Sequence, residues 1–80
     1  MKWRQQTISD GLTDYSSDFE GGFTEIESHE DHFTGSIFYN TPSYQITLEY
    51  QNFDTLKEAK TTLTQAVHNL LQGILPKLTT

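Results

Sequence analysis

Eighty residues make one domain, residues 1–80, and a chain of this length buries only about 60–65% of the surface its unfolded form exposes, so it can build one modest core. Leu, Ile, Val and Phe supply 19 of the 80 residues, enough apolar surface to fold, and the absence of cysteine excludes disulfides and thiolate metal sites, as suits a cytoplasmic protein. The net charge of −6 is unevenly spread: between Gln5 and Phe53 there is no Lys or Arg, against nine acids, Asp10, Asp14, Asp18, Glu20, Glu25, Glu27, Glu30, Asp31 and Glu49.

The opening MKWRQQ has basic residues with no apolar run behind them, and no stretch approaches 18 consecutive apolar residues. Neither a signal peptide nor a membrane span is expected. Met1 to Ile8 reads as a short strand with Trp3 as its one large apolar residue, and Ser9-Asp10-Gly11 as a turn. Leu12 to Glu20 offers Leu12, Tyr15 and Phe19 at helical spacing but is rich in Ser and Asp, so a helical turn, a loop and an irregular strand all stay open. Gly21-Gly22 frees the chain to reverse.

Three segments then carry a strand signal: Phe23 to Glu27, Phe33 to Tyr39, and Ser43 to Gln51. In the last of these, Tyr44, Ile46, Leu48 and Tyr50 alternate with Gln45, Thr47, Glu49 and Gln51, the pattern of a half-buried strand. Phe33, Gly35, Ile37 and Tyr39 make the matching face of the preceding strand. The turn residues Asn40-Thr41-Pro42-Ser43 join the two into an antiparallel hairpin. The opposite face of that hairpin carries Thr34, Ser36, Phe38, Gln45, Thr47 and Glu49, mostly polar and able to face water or a partner.

Thr55 to Leu75 has the clearest pattern in the chain. Leu56, Ala59, Leu63, Ala66, Val67, Leu70 and Ile74 recur in steps of three or four, which keeps them on one face of a helix. Thr55 and Glu58 have the spacing of a capping box, and Gly73 and Pro76 mark the exit. The expected fold is α+β: an antiparallel β-meander of three or four strands with one C-terminal amphipathic helix packed on one face.

The N-terminal Lys2-Trp3, the short aromatic strands and the run Phe53 to Lys60, FDTLKEAK, resemble small β-sheet-plus-helix proteins common in phages and prophages. The specific part of the resemblance covers about a tenth of the chain. It implies a fold more than an activity, and a role as a small phage accessory or inhibitor protein of the anti-CRISPR sort.

Chemistry-bearing patterns are sparse. His29 and His32 stand three apart among Glu27, Glu30 and Asp31, a set that offers two imidazoles and flanking oxygens to Zn²⁺ or Ni²⁺ and fits a polar turn equally well. His68 falls at the edge of the helix stripe, the place of a boundary histidine rather than a third ligand. Without Cys or a G-x-S-x-G turn there is no assembled nucleophile. The carboxylates lack the apolar pocket that tunes a general acid. No cofactor and no enzymatic activity are expected.

Nine of the ten aromatics lie between Tyr15 and Phe53, which suggests a stacking platform for single strands. The same interval has nine acids and no base, so it repels phosphates, and direct nucleic-acid binding is not expected. The remaining candidate is an acidic surface for a basic protein partner, as an inhibitor or nucleic-acid mimic, with Glu25, Glu27, Glu30, Asp31 and Glu49 as its contact residues. The alternatives are a metal-binding domain using His29 and His32, and a structural protein that self-associates through an edge strand or the Phe38 face.

Overall fold

The computed structural model describes residues 1–9, 12–43 and 45–73. Five strands, β1 (Arg4–Ser9), β2 (Leu12–Phe19), β3 (Gly22–Ser28), β4 (Phe33–Asn40) and β5 (Gln45–Phe53), precede one helix, α1 (Leu56–Leu71). The strands form one antiparallel sheet in chain order, β1-β2-β3-β4-β5. The α+β meander with a C-terminal helix is therefore present, but with five strands rather than three or four.

The additional strand comes from Leu12 to Glu20, where neither the helical turn nor the loop forms. Tyr15, Ser17 and Phe19 take the side of β2 facing α1, and Asp14, Ser16 and Asp18 take the other. A serine at the central inward position hides this alternation, yet Ser17 is fully buried. Ser28 fastens the other end of the same pair, its Oγ accepting from Thr13 N–H at 2.8 Å and donating to Thr13 O at 2.6 Å. Glu20 and Gly21 make the two-residue turn into β3, with Gly21 at φ 96°, where a Cβ is strained.

The core is one layer between the sheet and α1. Ile26, Ile37, Leu48, Tyr50 and Phe53 from the sheet meet Ala59, Leu63, Ala66, Val67 and Leu70 from the helix, all buried. Trp3, Tyr15, Phe19, Phe33, Tyr39, Ile46 and Leu56 border it, half-buried. Thr24 lies among these apolar groups at 0% exposure, its hydroxyl satisfied by donating to Ser36 O at 2.8 Å.

Strand β5 runs two residues past the strict alternation. Gly35 pairs with Tyr50 but Phe33 pairs with Phe53, so β5 carries an extra residue there, and Asn52 takes the left-handed conformation at φ 66°. The bulge turns both Tyr50 and Phe53 inward, their rings 6.2 Å apart, and delivers the chain to the helix. Thr55 caps α1 as expected, its Oγ1 accepting from Glu58 N–H at 3.1 Å. At the other end Gly73 N–H bonds Leu70 O at 3.0 Å. Of the expected features, Asp10, Gly11, Tyr44 and the exit from Ile74 through Pro76 lie outside the described residues.

Candidate functional site

Because the helix covers one side of the sheet, the other side is open, and the strand register lays its residues out in transverse rows. Arg4, Ser16, Glu25, Ser36 and Glu49 form one row across all five strands. Gln6, Asp14, Glu27 and Thr34 form the next. On the other flank Asp18, Phe23, Phe38 and Thr47 form a third. Opposed residues on neighbouring strands lie about 5 Å apart and alternate residues along a strand about 7 Å apart, so Asp14, Glu25 and Glu27 are mutual neighbours.

These carboxylates crowd one another. Burial opposes the charge of Glu25, and the nearby Asp14 and Glu27 oppose it further, so its pKa is raised above the ordinary value of 4.5. Asp14 Oδ1 is buried with no hydrogen-bond partner among the described residues. It borders an open hollow of about 490 Å³ lined by Arg4, Gln5, Gln6, Asp14, Ser16 and Glu25. Arg4 pairs with Asp18 at 3.0 Å and reaches Ser16 Oγ at 3.4 Å, but both charged side chains are about two-thirds exposed and the pair adds little to stability. Among the described residues Glu25, Glu27 and Glu49 have no ion-pair partner.

Of the expected contact residues, Glu25, Glu27 and Glu49 come together on this face. Glu30 and Asp31 stand in the loop joining β3 to β4, at the end of the sheet beyond Glu27. Asp14 and Asp18 belong to the face as well, and the alternation of Asp14, Ser16 and Asp18 against Tyr15, Ser17 and Phe19 is the signal that places them. Of the aromatics described between Tyr15 and Phe53, only Phe23 and Phe38 are on the open side. Tyr15, Phe19, Phe33, Tyr39, Tyr50 and Phe53 serve the core.

In the loop, His29 N–H donates to His32 O at 2.8 Å, closing a turn that stacks the two imidazoles with centroids 4.6 Å apart and planes 9° from parallel. His29 Nε2 lies 3.0 Å from Thr34 Oγ1, and His32 Nδ1 lies 2.6 Å from Asp31 Oδ1, a contact that holds the Asp31 carboxyl below its ordinary range. Imidazole binds a metal through an in-plane lone pair, and near-parallel stacked rings do not direct those pairs at one point. Among the described residues no group of three or more His, Asp or Glu is placed to hold a metal ion. His68 is exposed in the last turn of α1, where it interacts favourably with the helix dipole when charged.

No protein-family model, curated protein or solved structure matches the chain. No helix among the described residues is long and apolar enough to cross a membrane.

Proposed function

We propose that the protein is a non-enzymatic interaction module whose helix-free sheet face binds a basic surface on another protein. The observation that carries this reading is the row structure of the face: Asp14, Glu25, Glu27 and Glu49 are fixed on three strands of one sheet, and among the described residues no cation is paired to them. Glu25, whose ionisation is opposed first by burial and then by Asp14 and Glu27, and the buried Asp14 oxygen without a donor among the described residues would both gain from the charge and N–H groups of an incoming ammonium or guanidinium. Glu30 and Asp31 extend the negative rim at the loop end.

Regularly spaced carboxylates of this kind suit a groove that otherwise takes a nucleic-acid backbone, so the same face accommodates the roles of nucleic-acid mimic and of phage-type, anti-CRISPR-like inhibitor. The test is affinity capture from the source cells at low and high salt, with wild type beside the E25Q/E27Q/E49Q variant. Proteins with basic surfaces should be retained by wild type at low salt and lost at high salt or with the variant. Capture of the same proteins by the neutralised variant would overturn the reading.

A further inference from the structure

We propose that the stacked pair Phe23 and Phe38 is the centre of the docking face and receives an arginine side chain of the partner, its guanidinium laid on the rings and its N–H groups directed to the flanking carboxylates. This inference rests on the acidic docking face and specifies what that face recognises. The two phenylalanines are register partners on β3 and β4, with ring centroids 4.7 Å apart and planes 27° apart. They lie on the side of the sheet away from α1 and take no part in the core. Phe23 is 41% exposed, and Phe38 beside it is half-buried.

Their surroundings are polar acceptors. Asp18 stands directly opposite Phe23 on β2, Glu25 is the next residue along β3 on the same face, and Thr47 stands opposite Phe38 on β5. An aromatic centre with a charged rim is the anatomy of a protein interface. The negative ring face attracts a cation, and carboxylates beside it supply the acceptors that a planar fork of N–H donors uses. Asp18 already takes an exposed ion pair from the chain's own Arg4 at 3.0 Å, which an incoming guanidinium would share or displace, while Glu25 has no ion-pair partner among the described residues.

The other occupants of such a patch fit less well. A second copy docking by the same face would bring two faces of like negative charge together, and a nucleic-acid base would bring its phosphate to the same carboxylates. A lysine satisfies the charge but not the ring plane, which makes arginine the discriminating choice.

The experiment is calorimetric titration of wild type, F23A, F23Y and E25Q with nona-arginine and nona-lysine peptides at pH 7 and low salt, with thermal melts of each variant to establish folding. Wild type and F23Y should bind the arginine peptide more tightly than the lysine peptide, by roughly two- to fivefold for one exposed cation–ring contact. F23A should lose that preference while keeping its affinity for nona-lysine, and E25Q should bind both peptides more weakly. Equal binding of the two peptides by wild type, or a preference that survives in F23A, overturns the arginine seat and leaves the acidic face standing. Failure of both peptides to bind overturns the acidic face and the seat together. Sedimentation showing a dimer that F23A dissociates would assign the patch to a second copy and overturn the proposal.

Discussion

Glu25 lies in the middle strand of the sheet, with Ser16 and Ser36 directly beside it, Asp14 diagonal to it and Glu27 next along β3 on the same face. Its pKa is raised by burial first, then by Asp14, then by Glu27. A carboxyl that holds its proton more tightly in the folded state than in the unfolded state stabilises the fold only while protonated. That contribution is complete below the ordinary value of 4.5 and is lost as pH rises through the folded-state value. At pH 7 the ionised Glu25 therefore works against folding. E25Q is expected to melt above wild type at pH 7 and level with it at pH 4, as thermal denaturation at the two pH values will read. A variant that melts below wild type at pH 7 would mean that the charge is held by donors rather than crowded by acids. Under the proposed docking, the charge that weakens the free protein would serve the complex.

Glu25, Glu27 and Glu49 were legible as outward residues because each alternates with an apolar neighbour: Ile26 between the first two, Leu48 and Tyr50 around the third. Asp14 and Asp18 were not, since the inward positions between them are Tyr15 and Ser17. A buried serine carries no hydrophobic signal. Phe38 was legible as an outward residue. Its pairing with Phe23 was not, because that depends on the β3–β4 register, fixed by contacts across a four-residue loop of polar side chains.

At the scale of elements, the start of α1 and its stripe from Leu56 to Leu70 were legible, since the Thr55 cap and the apolar spacing carry local physical signals, but the helix ends at Leu71, ahead of Gly73 and short of the expected Leu75. The length of β5 was not legible, because the bulge at Asn52 breaks the two-residue period just where the chain enters the helix connection. The seating of α1 on the sheet turns on Gly35. A Cβ built there would stand 2.7 Å from Leu63 Cδ1, so the absence of a side chain on β4 is what lets the helix approach. G35A should lower stability by about 1–3 kcal/mol through overpacking. The cost should shrink in an L63A background, where the new methyl occupies vacated space, and urea denaturation of the two singles and the double will give the coupling. An equal cost in both backgrounds would place the strain elsewhere than between β4 and the helix.

At the scale of the molecule, the protein has two unlike faces. Among the described residues seven large aromatics and the helix stripe are gathered on one side to make the core, which leaves the other side free to collect carboxylates around one pair of phenylalanines. After Phe53 the described basic residues, Lys57 and Lys60, are both on α1, and Lys60 lies 5.2 Å from the centre of the Tyr15 ring on the core side. Under the proposed function, cationic partners dock on the open face and nowhere else. Residue-resolved amide shift mapping of the labelled protein during titration with a basic peptide tests it most directly. Shifts should concentrate at Ser16, Phe23, Glu25, Ser36, Phe38 and Glu49, disappear at high salt and leave α1 unmoved. Shifts that follow α1 or the β3–β4 loop alone, or that persist at high salt, would contradict it.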